Sequence, residues 1–398
     1  MADKLIALEH ARALVLKQIA PLAAEPVALG RALGRVLAQP VKAAFDVPGF
    51  DNSAMDGYAL RAADSGIGLR LHVVGESRAG APAGREIAHG QACAIATGAA
   101  IPAGADAVIR VEDTHGDGDA VELAAAVASG ANIRRAGEGV RAGALVLKPG
   151  VRLGPAELGV LAELGYATVS ARRRPRVAIV TTGDELVAVG ESLRYGMVHN
   201  SGAIVLPALI ERAGAVTRSN DHVRDDPQSL RETLAHALEA DVAVICGGIS
   251  VGAHDAVQAA LADLGVTTHF AGVALKPGRP TLFGTRGRTL VFGLPGNPVS
   301  SLVTFLLFAR PALIALAGEQ PHARRAHALL AEAVEQEPRR AQMLRCTLEL
   351  RDNGWWARTS GPQGSHGLTS MLVAEAFALI PAGDGALEAG ARAEIELL

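Results

Sequence analysis

Residues 176–183 read RVAIVTTG, an apolar run of strand-forming residues that breaks on a glycine. The form returns twice, as DVAVICGG at 241–248 and TLVFGLPG at 289–296. Segments of helical length lie around and between these runs: 201–213 (SGAIVLPALIERA, ended by Gly214), 227–239, 255–264 and 299–317. Strands alternating with helices of about ten or more residues predict an α/β domain built on a doubly wound parallel sheet. In such a sheet ligands bind beyond the carboxyl ends of the strands, where these glycine turns fall.

Outward from that centre the pattern changes. Leu5, Leu8, Ala11 and Val15 give residues 1–20 one apolar helical face, and Glu9, His10 and Arg12 break what would be the core of a signal peptide. Short apolar runs between Gly and Pro from Leu69 to Leu147 predict a β-rich domain. After Glu319 the chain turns polar and then β-like, which predicts a separate small β domain. The basic run RRRPR at 172–176 reads as a solvated linker at a domain junction.

Of 398 residues, 49% are hydrophobic and 20% charged, so the chain has material for several cores and is not a disordered one. A net charge of −3 argues against binding nucleic acid or an anionic membrane, because neutralising phosphates needs a basic excess. No apolar run approaches the length of a membrane span. Cys93, Cys246 and Cys346 lie far apart with no C-x-x-C, which excludes a zinc cage and fits a reducing, cytoplasmic setting.

The glycine turns carry the chemistry. In TTGDEL (181–186), Gly183 allows a sharp turn that delivers Asp184 and Glu185, although such carboxylates often serve only a turn or a helix start. In GGISVG (247–252), Gly247 and Gly248 let backbone approach an oxyanion and Ser250 adds a hydroxyl. Asp255 follows, either capping the next helix or holding a metal. In GLPGNPVS (293–300), Pro295 shapes the turn, Asn297 is placed to cap a helix and Pro298 takes its first position, where free N–H groups attract phosphate. LKPGRP (275–280) sets Lys276 and Arg279 around a Pro-Gly turn, as surface cations or as an oxyanion clamp. VRDDP adds Asp225 and Asp226, and with Asp255 these would make a hard-oxygen site for Mg²⁺ beside substrate phosphates. FDNSAMDGYA (50–59) crowds Asp51, Asn52, Ser53 and Asp56 into one loop, either an Asx-turn loop bonding its own backbone or a binding loop. No G-x-G-x-x-G follows a strand, and neither a P-loop nor a G-x-S-x-G elbow occurs, which argues against hydride transfer, a P-loop kinase and a serine hydrolase.

In order along the chain stand FDNSAMDGYA, ATGAAIPAGADAVI, NIRRAGE, TTGDEL, RDDP, GGISVG with Asp255, LKPGRP, GLPGNPVS and QGSH. Together they resemble the molybdopterin molybdenumtransferases, the MoeA family, which includes the gephyrin E domain. The resemblance covers nearly the whole chain. It implies four domains: a connecting domain (22–42 with 144–170), a β-rich insertion (43–143), a doubly wound domain like the molybdopterin adenylyltransferases (1–21 with 171–318) and a C-terminal β-barrel (319–398). It also implies a homodimer with the active site shared between subunits. The reaction implied moves molybdenum from molybdate to adenylylated molybdopterin, with Mg²⁺ assisting and AMP released. Carried over by position, Asp56 and Thr97 act from the partner subunit, and Glu185, Asp225 and Asp255 are the main acids, with Asp226 beside them as a metal ligand. Gly247, Gly248, Ser250, Pro295, Asn297 and Pro298 shape the substrate pocket. Lys276, Arg279 and Ser365 would hold molybdate, and Arg345 reaches in from the C-terminal side. Contacts with a molybdopterin adenylyltransferase and an apo-molybdoenzyme would follow.

This sequence departs from the family pattern at Gly139, Asn200, Gly202, Ala256 and Arg279. Two further readings therefore stand beside the first. One is a divergent paralogue acting on tungstate or a related adenylylated pterin. The other is a gephyrin-like scaffold.

Overall fold

The computed structural model describes residues 5–249, 256–321 and 325–398. The chain divides into two compact units: residues 1–38, 150–154 and 169–398 form one, and 39–149 with 155–168 the other.

The first unit contains a six-stranded sheet in the spatial order Val216–Val223, Arg176–Thr182, Val242–Cys246, Thr289–Leu294, Leu282–Arg286, Thr267–Ala271. The first four strands are parallel. The last two run antiparallel and extend the sheet beyond the expected parallel core. The helices Gly202–Arg212, Pro227–Ala237 and Ala256–Asp263 fall where the apolar periodicity places them. Apolar side chains from alternate strand positions pack to opposite faces. Val177, Ile179 and Val244 meet Leu206, Ile210 and the helix beginning at Pro298 on one face. Ala178, Val180 and Ile245 meet Leu230, Leu234 and Leu261 on the other. The N-terminal helix Leu8–Lys17 adds Leu8, Ala11 and Val15 to the first of these cores.

Helical structure is continuous from Pro298 to Leu316, with a π segment at Phe305–Ala309 just before Pro311. Proline has no N–H to give, so the ladder there must adjust. These 19 residues have the length and mean hydropathy (1.9) of a membrane span, although Arg310 interrupts them in the sequence. Their side chains fill the domain core instead, where Val299, Val303, Phe305, Phe308 and Leu313 are buried.

The RRRPR run is not a free linker. Arg173 forks onto both oxygens of Asp241 at 2.6 and 2.5 Å, and the Arg176 N–H donates to the same carboxylate at 2.8 Å. The basic run thus pins together the starts of the neighbouring strands Arg176–Thr182 and Val242–Cys246.

The C-terminal strands close into a barrel. Ala341–Arg351 pairs with Gly354–Thr359 on one side and Ala376–Ile380 on the other, and Arg325–Leu330 and Arg392–Leu397 complete the ring. Leu275–Lys276 from the doubly wound domain joins this sheet, with Lys276 in register with Gln342. That pairing fixes the LKPGRP loop against the barrel.

The second unit is built on a mixed six-stranded sheet, in the order Ala107–Arg110, Gly57–Leu60, Gln91–Ile95, Arg70–Ser77, Ala120–Leu123, Thr114–Gly116. It also holds the antiparallel pair Val41–Lys42 and Leu145–Leu147, and the helix Pro155–Glu163. The stretch expected to form a connecting domain is therefore divided between the two units.

Candidate active site

Strand order reverses beside Arg176–Thr182: the next strand in sequence lies on one side and the one after it on the other. A cleft of ≈ 630 Å³ opens at the carboxyl ends of these strands. Glu185, Asp225, Gly247, Gly248, Pro295, Asn297 and Pro298 all line it, so four sequence motifs meet in one place.

The turn after Val242–Cys246 requires glycine. Gly247 has φ +100°, and a Cβ on it would lie 2.4 Å from the Thr182 carbonyl oxygen. The backbone here passes too close to its neighbour for any side chain. The neighbouring strand ends in Thr182, whose hydroxyl donates to Asp225 Oδ1 at 2.7 Å. Asp225 in turn donates its backbone N–H to Asp184 at 3.3 Å. The Glu185 carboxylate folds back over Gly183, 2.5 Å from where a Cβ would stand. Cys246 closes the floor. Its thiol is pushed up to about 11 by burial, against a weaker opposing hydrogen bond from Ser301, so it stays protonated and apolar in character.

Pro298 takes the first helical position, as its fixed φ favours. Asn297 stands at the cap position, but its side chain does not cap. Its Nδ2 donates to Ser365 Oγ at 3.1 Å, and the Val299 N–H donates to the Ser365 carbonyl at 3.1 Å. The QGSH loop of the barrel domain is thereby fastened across the helix start. It brings His366 into the cleft lining, a residue the sequence reading passed over beside Ser365. The same QGSH motif held the signal for it.

Arg345 does not reach into the cleft. It is fully buried. Its Nε donates to Ser370 at 3.0 Å and its Nη2 to the carbonyls of Pro362 and Gly364 at 2.8 and 3.0 Å. A guanidinium offers donors in a rigid fork, and here the fork shapes the loop that carries Ser365 and His366.

Lys276 is exposed and ion-paired to Glu337 at 2.5 Å, and Arg340 holds the other oxygen of that carboxylate at 2.9 Å. The two cations, Lys276 foremost, keep the Glu337 carboxyl below its ordinary range. Lys276, Gln363 and Gly364 line a smaller pocket of ≈ 310 Å³. The loops 276–280 and 363–366 each contribute to both pockets, so the two share walls. Arg279 is exposed and makes no ion pair among the described residues.

In the second unit the structure joins two other candidates. Asp56 Oδ1 accepts from the Thr97 N–H at 2.7 Å and from its hydroxyl at 3.0 Å. These bonds, the backbone one first, hold the carboxyl below the usual range. The rest of the FDNSAMDGYA loop is scaffolding. Asp51 accepts from Arg135 Nη1 at 2.6 Å and from the Ala136 N–H at 2.8 Å, and Ser53 bonds the Met55 carbonyl at 2.5 Å. Phe50 and Met55 remain exposed beside Asp56.

Asp226 caps the helix Pro227–Ala237, accepting from the Ser229 N–H at 2.8 Å, and does not line the cleft. Ser250 and Asp255 lie outside the described residues. Among the described residues no group of three or more His, Cys, Asp or Glu side chains is assembled for a metal. Asp225 and Glu185 do suit Mg²⁺, which takes one or two carboxylates and completes its shell with water and substrate phosphates. Of the departures, Asn200 is structural: it donates to the Thr181 hydroxyl at 2.8 Å and accepts from the Ala203 N–H at 3.1 Å. At Gly139 a Cβ would sit 3.0 Å from the Val47 carbonyl oxygen, so this glycine permits a tight approach. Gly202 lines the cleft, and Ala256 begins its helix.

Three family models match the chain: the MoeA N-terminal region (domain I and II) over residues 6–165, the probable molybdopterin binding domain over 178–315, and the MoeA C-terminal region (domain IV) over 327–398. A molybdopterin molybdenumtransferase of Haemophilus influenzae is 34% identical over 98% of both chains. A molybdopterin molybdenumtransferase 2 of Mycobacterium tuberculosis is 36% identical over 89% of this chain and 90% of its own. The crystal structure of the molybdopterin biosynthesis MoeA protein from Pyrococcus horikoshii OT3 superposes with a TM-score of 0.84 at 32% identity, covering 99% of this chain and 100% of that one. With its three regions matched in order and relatives aligned end to end, this chain belongs to the MoeA family of molybdopterin molybdenumtransferases.

Proposed function

We propose that this protein inserts molybdenum from molybdate into adenylylated molybdopterin, releasing AMP, in the cleft at the ends of the parallel strands. The observation that carries the reading is the convergence there of Asp225 and Glu185 with the Gly247–Gly248 turn and the helix start at Pro298. The reaction needs acids beside phosphates, backbone donors for oxyanions and a seat for a dianion.

The Gly247–Gly248 turn carries no side chains, so the pyrophosphate can approach the backbone closely beside the helix start. Asp225, fixed by Thr182, and Glu185 would hold Mg²⁺ together with Asp255. A bound Mg²⁺ would supply charge neutralisation as water adds to the pyrophosphate and its P–O bond breaks, leaving AMP and the pterin phosphate. Lys276, Arg279 and Ser365 seat molybdate on the barrel side. On transfer, the two dithiolene thiols replace one oxide, which leaves as water with both thiol protons, and molybdenum keeps its oxidation state. The active form is a homodimer in which Asp56 and Thr97 complete the partner's site. All three cysteines are free, which accords with work in the reducing cytoplasm.

The test is AMP release from adenylylated molybdopterin with Mg²⁺, with and without molybdate. Molybdate-dependent release, with molybdenum recovered on the pterin, is the expected result. Release driven by tungstate and not by molybdate would favour the divergent paralogue. Substrate binding without any release would sink the insertase reading.

A further inference from the structure

We propose that Glu337 is an internal counter-ion that a tetrahedral oxyanion must displace from Lys276, so that this barrel carboxylate sets the site's affinity for the dianion. The inference rests on the oxyanion-binding reading of the Lys276 loop given above.

The geometry holds the two charges together from both sides. Lys276 is fixed by strand pairing to the barrel at Gln342. Glu337 is tethered there too: its N–H donates to Gln342 Oε1 at 3.2 Å, and its carbonyl accepts from the Gly383 N–H at 3.0 Å. Its carboxylate then lies 2.5 Å from Nζ of Lys276, the residue that lines the ≈ 310 Å³ pocket with Gln363 and Gly364.

Toward an ammonium group, a carboxylate and an oxyanion are the same kind of partner, each accepting short charge-assisted hydrogen bonds. Glu337 therefore fills a position at Nζ that an arriving anion would use. As part of the same chain it competes at high effective concentration. The competition is soft, because the lysine side chain is 47% exposed and the glutamate 26%, and exposed pairs are weak. Arg340 makes displacement easier still. It already grips the second carboxylate oxygen at 2.9 Å and can keep Glu337 when Lys276 lets go. Glu337 thus weakens binding of any anion at Lys276, and Arg340 moderates that effect.

The experiment uses the full chain with molybdate as probe, both in the AMP-release assay and by calorimetric titration without nucleotide. E337Q should lower half-saturating molybdate by about three- to fivefold, the scale of an exposed ion pair. The AMP-release rate at saturation should be unchanged. R340Q should raise half-saturating molybdate by about twofold to threefold. On a K276A background, E337Q should have no effect. If K276A weakens molybdate but E337Q leaves its half-saturation unchanged or raised, the counter-ion proposal is wrong. If R340Q shifts half-saturation in the same direction as E337Q, Arg340 is not the alternative partner and that part fails. If K276A itself leaves molybdate binding intact, the oxyanion reading of Lys276 fails, and this inference falls with it.

Discussion

The hydroxyl of Thr182 donates to Asp225 Oδ1 at 2.7 Å, and that bond fastens together the carboxyl ends of two neighbouring parallel strands. It also spends one lone pair of Asp225 and aims the rest into the cleft. A carboxylate held this way meets a phosphate or a metal without reorganising, which is where a preordered site gains most. Asp225→Asn should keep the fold and substrate binding while lowering AMP release on the order of a hundredfold. Thr182→Val should act through Asp225, costing about 1 kcal/mol of stability and roughly tenfold in rate, since one positioning bond is lost. Steady-state kinetics with a urea melt separates these effects. Equal loss in both variants would mean that Thr182 itself touches the substrate.

A second pair acts in the other unit. Thr97 gives Asp56 two hydrogen bonds, and the larger downward pull on the carboxyl comes from the backbone N–H. Because the folded state lowers this pKa, Asp56 favours folding at pH above the ordinary carboxylate range. That contribution is lost as pH falls through the lowered folded value. Thr97→Ala removes only the hydroxyl bond, so the Asp56 titration should move part of the way back toward normal. Carboxyl NMR titration of wild type and variant checks this. A complete return would mean that the backbone bond also breaks when the hydroxyl is removed.

How far the sequence could be read depends on the range of the interaction. The strand–glycine turns at 176–183, 241–248 and 289–296 are local patterns, and the parallel core follows from them directly. The antiparallel strands 267–271 and 282–286 were not legible, because TTHFA and LFGTR are short and carry no alternation that separates a sheet edge from a loop. The acids and glycines of the cleft were readable from short motifs. The ion pairs were not. Arg173 with Asp241 and Lys276 with Glu337 join residues 68 and 61 positions apart, and nothing in the sequence near one partner announces the other. The bonds of Arg345 to the carbonyls of Pro362 and Gly364 were hidden for the same reason, since backbone partners leave no trace in composition.

Gly247 offers a sharper test of the turn geometry. Its φ of +100° disfavours any L side chain, and a Cβ would stand 2.4 Å from the Thr182 carbonyl oxygen. Backbone strain alone costs about 1–3 kcal/mol, and this oxygen belongs to a buried strand end that cannot yield. Gly247→Ala should therefore lower stability by about 3 kcal/mol and disturb the Thr182–Asp225 bond beneath it, so that rate and stability fall together. Gly354→Ala is the control. That glycine also has positive φ, at +115°, but a Cβ there would meet nothing within 4 Å. Chemical denaturation should show the smaller loss for Gly354→Ala, with AMP release intact. Equal losses would assign the whole effect at Gly247 to backbone conformation and none to the close approach.

The buried fork of Arg345 separates charge from geometry. If this residue served mainly as a cation for molybdate, Arg345→Lys would retain much of the function, since the charge survives. The structure gives it a different task, because its Nε and Nη2 bond Ser370 and the carbonyls of Pro362 and Gly364. One ammonium on a flexible stem cannot reproduce that planar set of bonds. Arg345→Lys and Arg345→Met should therefore be alike. In both, buried carbonyls lose donors, the 361–366 segment loosens, and the Asn297–Ser365 bond that fastens it across the helix start weakens. Hydrogen exchange should show faster exchange at Val299, whose N–H donates to the Ser365 carbonyl. Half-saturating molybdate should rise on the order of tenfold in both variants. A lysine variant with wild-type exchange and wild-type molybdate dependence would return Arg345 to the role of a simple cation.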